Sequence, residues 1–87
     1  MRESLIERKC RQWAKAQGWL VFKFVSPNNR GVPDRLFIKD GAHVFVEFKA
    51  LGKQPTALQQ RTADKMREQG ATVYVIDSVE DFINVMP

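Results

Sequence analysis

An Asp40-Gly41 pair stands between two short apolar runs, and it constrains the fold of this chain more than any other feature. Asp-Gly suits the positive φ angles that a two-residue β-hairpin loop demands. It predicts that Arg35–Ile38 and Val44–Ala50 are neighbouring antiparallel strands. Trp19–Val25, rich in aromatic and β-branched residues and too short for a helix, reads as a strand ahead of them. Between the two, Ser26 to Pro33 reads as a loop, because its prolines remove backbone donors and its Asn and Gly residues tolerate turn conformations.

Helical spacing frames this meander. Ile6, Cys10, Trp13 and Ala14 make one apolar stripe, predicting a helix over about Glu3–Gln17 with Gly18 as its stop. After a loop at Leu51–Pro55, Thr56 and Gln59 have capping-box spacing, which predicts a helix to Gln69 closed by Gly70. Thr72–Ile76 is a nearly unbroken β-branched and aromatic run, the pattern of a strand covered on both faces. Ser78 can cap a last short helix carrying Val79, Phe82, Ile83 and Met86. The order α-β-β-β-α-β-α implies an α/β fold, a mixed sheet flanked by helices.

With 87 residues, the chain reads as one domain, 1–87, with a thin stability margin that nine aromatic side chains help to support. Its net charge of +4 favours polyanionic partners without requiring nucleic acid. The single Cys10 excludes an internal disulfide and a Cys-rich zinc site, and on its apolar stripe it reads as a small buried hydrophobe. No apolar stretch reads as a signal peptide or a membrane span, so a reducing, cytoplasmic setting with no membrane partner is expected. No glycine-rich nucleotide cradle and no nucleophile–base pair stands out, so no small-molecule cofactor is expected.

The chemistry gathers on the hairpin. Side chains alternate along a strand, so Glu47 and Lys49 share one face while Val46 and Phe48 share the other. Alone, the pair reads equally as exposed charges or a weak same-face ion pair. Asp34 opens the preceding strand, and antiparallel pairing can bring it alongside Glu47 and Lys49; as half of a Pro-Asp pair it also reads as a turn residue. Two carboxylates are hard oxygen ligands suited to Mg²⁺ or Mn²⁺, and a cation so held acidifies water and neutralises charge on a phosphate. Lys49 could orient or deprotonate that water, or hold the phosphate.

Pro33-Asp34, twelve intervening residues and Glu47-Phe48-Lys49 resemble the PD-(D/E)XK nuclease signature. The strings Glu3-Ser4-Leu5-Ile6-Glu7, Lys23-Phe24-Val25-Ser26-Pro27, Gly31-Val32-Pro33-Asp34-Arg35, Val46-Glu47-Phe48-Lys49-Ala50, Leu58-Gln59 and Val73-Tyr74-Val75-Ile76-Asp77-Ser78 are similar to the VRR-NUC branch, in its stand-alone, phage-type form. The resemblance implies a restriction-endonuclease-like αβββαβ core. It assigns Asp34, Glu47 and the Phe48 carbonyl to the metal, and Lys49 to the attacking water. It also implies a site acid on the first helix: Glu7, bordering the buried stripe, with Glu3 one turn earlier as the other candidate. Spacing alone equally allows Glu7 an i,i+4 pair with Arg11. Gln59 is expected in the site by resemblance, although locally it can close the capping box with Thr56.

Lys23, Ser26, Arg30, Arg35 and Lys53, with Arg61, lie in or beside the elements around this edge and are candidate phosphate contacts. The expected protein is a Mg²⁺- or Mn²⁺-dependent, structure-selective DNA endonuclease of Holliday-junction-resolving type, acting on branched DNA as a homodimer. A non-catalytic nucleic-acid-binding module of the same fold, or a nuclease for flaps or nicked duplex, is the alternative.

Overall fold

In the computed structural model, which describes all 87 residues, Asp40 and Gly41 both take positive φ, 49° and 83°. The turn they form joins β2 (Arg35–Lys39) to β3 (Ala42–Phe48), with Lys39 opposite Ala42 and Arg35 opposite Val46. β1 (Leu20–Lys23) is antiparallel to β2, while β4 (Thr72–Ile76) is parallel to β3, giving a sheet ordered β1-β2-β3-β4. A parallel pair needs a crossover, which α2 (Ala57–Glu68) supplies. α1 (Glu3–Ala16) precedes the sheet and α3 (Val79–Val85) follows it, so the αβββαβα order and the mixed sheet are as the sequence implies. No helix is long and apolar enough to cross a membrane.

Element ends depart from the sequence reading for local reasons. β1 begins at Leu20 because the Trp19 amide is already committed to the end of α1: Gly18 N–H donates to Lys15 and Trp19 N–H to Ala14. That is a Schellman closure around a glycine at φ 95°. β3 starts two residues earlier than expected, at Ala42, since a two-residue loop leaves no slack between paired strands. Its regular span ends at Phe48, although Lys49 N–H still donates to Ile76 at 2.8 Å.

One face of the sheet carries the main core. Phe37, Val44, Val46, Phe48 and Ile76 pack there with Ile6, Cys10 and Ala14 of α1 and Phe82 of α3. Phe82 is its hub, with ring centroids 5.2 Å from Phe37, 5.9 Å from Trp13 and 6.0 Å from Phe48. The opposite face is covered unevenly. α2 packs beside β4, whose Val73 and Ile76 are buried on opposite faces, so this edge strand does have cover on both. Its free edge is blunted by Arg67, which donates twice to the Val73 carbonyl, at 2.8 and 3.2 Å. Toward β1 the same face lies open, leaving Leu20 58% and Phe22 51% exposed.

Candidate active site

The site starts from a loop that delivers Asp34 to the sheet. Ser26, Pro27, Asn28 and Asn29 make a tight turn, with Asn28 at φ 65° and Asn29 N–H donating to the Ser26 carbonyl. Proline before a residue of positive φ is the pattern of a type II turn. Gly31, at φ 81°, then seats the loop on α2 so closely that a Cβ there would lie 2.9 Å from Leu58 Cγ. Thr62 Oγ1 donates to the Arg30 carbonyl from the same helix. Pro33 is fully buried, and the Asp34 carbonyl accepts from Phe24 N–H at 2.8 Å, tying the loop's end to β1.

Strand register does the rest. Arg35 pairs with Val46 and Leu36 with Phe45, so one step further Asp34 lies opposite Glu47. Directly opposed residues project from the same face of a sheet, and Lys49, two residues along, shares it. That face is the one carrying Phe45, whose ring meets Phe24 edge-on at 5.1 Å. Glu47 is 8% exposed. Neither Glu47 nor Lys49 enters any of the protein's three salt bridges, and Asp34 Oδ1 is buried with no hydrogen-bond partner.

The electrostatics reflect that arrangement. Burial pushes the Glu47 carboxyl up to about 7, with Asp34 adding to the rise and Lys49 opposing it; Glu3 and Glu7 add smaller increments. Burial also raises Asp34, followed by the charge of Glu7, against Arg35, Asp34's own backbone amide and Lys23, which lower it. One buried and one half-buried acid on one face are each held above their ordinary range. Such a pair is relieved by a proton or by a cation.

A divalent ion fits these residues. The orphaned Asp34 oxygen and the buried Glu47 carboxylate, which enters no salt bridge, are hard donors, as Mg²⁺ and Mn²⁺ require. The backbone adds a third donor. Lys49 N–H points to β4, so alternation turns the Phe48 carbonyl toward β2, where register puts Pro33 opposite it. Proline has no N–H, so the ladder bond that would occupy this carbonyl is missing. The arrangement is an open sheet end: none of the molecule's clefts is lined by Asp34, Glu47 or Lys49.

Other expected site residues stand elsewhere. Glu7 was expected among the metal ligands, yet its Oε1 accepts from Arg35 Nε at 2.8 Å and lies 3.5 Å from Arg11 Nε. Arg35 follows Asp34 and so projects from the opposite face, toward α1; Glu7 is held there with it. Accordingly, no group of three or more His, Cys, Asp or Glu side chains is gathered tightly enough to hold an ion. Arg35, expected as a phosphate contact, is therefore spent on Glu7, the one role that a candidate surface arginine gave no sign of in the sequence. Glu3 is exposed and makes no hydrogen bond or salt bridge, but its charge reaches Glu47. Gln59, expected in the site, closes the capping box instead: Thr56 N–H donates to Gln59 Oε1 at 3.0 Å and Gln59 N–H to Thr56 Oγ1 at 3.1 Å. The start of α2 needs those two bonds, because its first amides have no helical partner.

Among the basic residues, Lys23, Arg30, Lys53 and Arg61 are exposed and outside all three salt bridges. Arg30 and Ser26 line a cleft of about 560 Å³ between the loop and α2, and Lys53 lines one of about 340 Å³ beside β4. Ser26 Oγ also accepts from Asn29 at 3.0 Å.

Comparison with known proteins adds three findings and one blank. No family model matches the chain. It is 40% identical over 88 residues to "Putative nuclease p44" of Acyrthosiphon pisum secondary endosymbiont phage 1, spanning 100% of this chain and 94% of that protein. A solved structure described as "VRR_NUC domain" superposes at a TM-score of 0.87 with 28% identity, over 95% of this chain and 91% of the other. A second, "VRR_NUC domain protein", matches in fold at a TM-score of 0.81 with 19% identity, over 98% and 84% of the two chains.

Proposed function

The chain belongs to the VRR-NUC nuclease family, and from that premise we propose that it is a divalent-cation-dependent, structure-selective DNA endonuclease acting as a homodimer. One observation carries the reading: Asp34 and Glu47 are cross-strand neighbours on one face, both with raised carboxyl pKa values, and Asp34 Oδ1 has no protein partner. Asp34, Glu47 and the Phe48 carbonyl would hold the ion, Mg²⁺ or Mn²⁺. What such an ion supplies when bound is acidification of water and neutralisation of charge on the scissile phosphate. Lys49, on the same face and free of any ion pair, orients the attacking water or steadies a phosphate oxygen. The reaction forms one P–O bond from water and breaks the P–O bond to the leaving strand, which takes up a proton. An open site suits a polymeric substrate, since no enclosed pocket limits its size.

Glu7 acts through charge, paired to Arg35 and Arg11, and Gln59 through the start of α2. Lys23, Arg30 and Lys53 with Ser26 are proposed contacts to the DNA backbone. Two cuts placed symmetrically in a four-way junction need two sites related by a dyad, and one 87-residue chain offers one. The open sheet face at Leu20 and Phe22 supports association of two copies.

The test is incubation of the purified protein with linear, flapped and four-way DNA in Mg²⁺, Mn²⁺ or chelator, beside Asp34→Ala and Lys49→Ala. The expected result is cutting of branched DNA with either ion, none in chelator, and none by the variants. Lys49→Ala should still bind. Binding without cutting under every condition would leave a nucleic-acid-binding module, and preference for flaps would replace the junction-resolving assignment.

A further inference from the structure

The outer side of α1 carries a feature that the proposed chemistry does not use. A cleft of about 220 Å³ is lined by Arg2, Ser4, Leu5, Arg8 and Arg11. We infer that this cleft is a second nucleic-acid contact, taking a backbone phosphodiester of the polynucleotide beside the cleavage site. The inference rests on the nuclease reading and extends it to the course of the substrate.

Charge on α1 is unbalanced in a way that an external anion would relieve. Residues 2–15 hold five of the chain's 14 Lys and Arg residues, with only Glu3 and Glu7 against them. Arg8 and Arg11 are three apart and Arg11 and Lys15 four apart, spacings at which like charges face each other and weaken a helix. Arg2 stands at the N-cap and forms no cap bond, where Ser, Thr, Asp or Asn would ordinarily satisfy the first amides. A cation there also opposes the helix dipole.

These guanidinium groups are undersupplied with acceptors. Arg2 and Arg8 enter no salt bridge. Arg11 meets only Glu7, at 3.5 Å, and Glu7 gives its hydrogen-bonding oxygen to Arg35. Arg11 Nε is buried without a hydrogen-bond partner. Guanidinium forks match phosphate oxygens in geometry as well as charge. Position completes the case: the Met1 carbonyl accepts from Leu51 N–H, two residues past Lys49, so the start of α1 adjoins the end of the sheet that carries Glu47 and Lys49. A polynucleotide lying across that end of the sheet has the cleft beside it.

The test is the salt dependence of binding. Affinity for a labelled duplex is measured by anisotropy across a KCl series, in chelator so that nothing is cut, for wild type, Arg2→Ala/Arg8→Ala and Lys9→Ala. Each phosphate contact contributes about 0.9 to the slope of log K against log salt. The double variant is expected to bind more weakly on every sequence, with its slope reduced by about one, while Lys9→Ala, outside the cleft, keeps the wild-type slope. A double variant with the wild-type slope overturns the inference while leaving the nuclease reading intact. Wild type that binds no duplex and cuts none overturns both.

Discussion

At the scale of single residues, the proposed chemistry rests on Glu47 being buried beside Asp34. A carboxyl raised to about 7 by burial means that the native state binds this proton more tightly than the unfolded chain does. Glu47 thus contributes stability that is full below its ordinary value, near 4.5, and is lost as pH rises through about 7. Asp34 is shifted in the same direction. In chelator, the melting temperature should fall between pH 5 and pH 8 by an amount corresponding to about 1–3 kcal/mol. Glu47→Gln should flatten that fall, as thermal melts across the pH range would reveal. If the site holds an ion, Mn²⁺ at pH 8 should raise the melting temperature of wild type and not of Asp34→Ala. Pro33 offers a second test. Pro33→Ala restores an N–H opposite the Phe48 carbonyl and competes for it. Affinity for Mn²⁺, measured by calorimetry, should drop by roughly tenfold with the fold intact; unchanged affinity would remove that carbonyl from the site.

At the scale of elements, each helix is positioned by bonds at its ends. Both long helices close on glycine, and α2 opens on the Thr56–Gln59 box. Removing the Thr56 hydroxyl should cost about 1 kcal/mol, read as a lower denaturation midpoint. Gln59 separates two roles that spacing could not. If it serves the helix alone, Gln59→Ala should lower thermal stability by a similar amount and leave turnover unchanged at temperatures where the variant stays folded. A large loss of turnover in a fully folded variant would return Gln59 to the active site. The loop from Ser26 to Pro33 belongs to this scale as well. Its glycine contact on α2 ties the position of Asp34 to a helix that carries none of the proposed ligands.

At the scale of the whole molecule, one aromatic cluster holds α1 and α3 against the sheet. Phe82 is fully buried among Trp13, Phe37 and Phe48, so Phe82→Ala should cost roughly 3–5 kcal/mol, a large share of what a domain this small has. Cys10 supplies the measurement. It is fully buried in the same cluster, and burial, with the charge of Glu7 second, pushes its thiol up to about 12. Labelling at neutral pH therefore requires opening of the core. Phe82→Ala should accelerate Cys10 labelling by two to three orders of magnitude. A variant labelled at the wild-type rate would mean that α3 is not part of the unit that shields Cys10.

Most of this fold was legible in the sequence because its signals are local. Asp40-Gly41 requires positive φ at two successive residues, an apolar stripe at helical spacing can be buried only as a helix, and alternation puts Glu47 and Lys49 on one face wherever the strand lies. Antiparallel pairing could bring Asp34 alongside the Glu47–Lys49 end of the next strand, but the expected strands left residues 39–43 between them, so the register that sets Asp34 opposite Glu47 came only with the structure. What the sequence could not decide were contacts between residues distant in the chain or competing for one partner. Glu7 had Arg11 within reach in sequence, but Arg35, 28 residues away, becomes its hydrogen-bond donor only when α1 packs on the sheet. Gln59 had two destinations, and the demand of unpaired amides at the start of α2 settled which one it occupies. Local geometry is written into neighbouring residues; the allocation of a charge or a hydrogen bond among distant claimants exists only once the chain has folded.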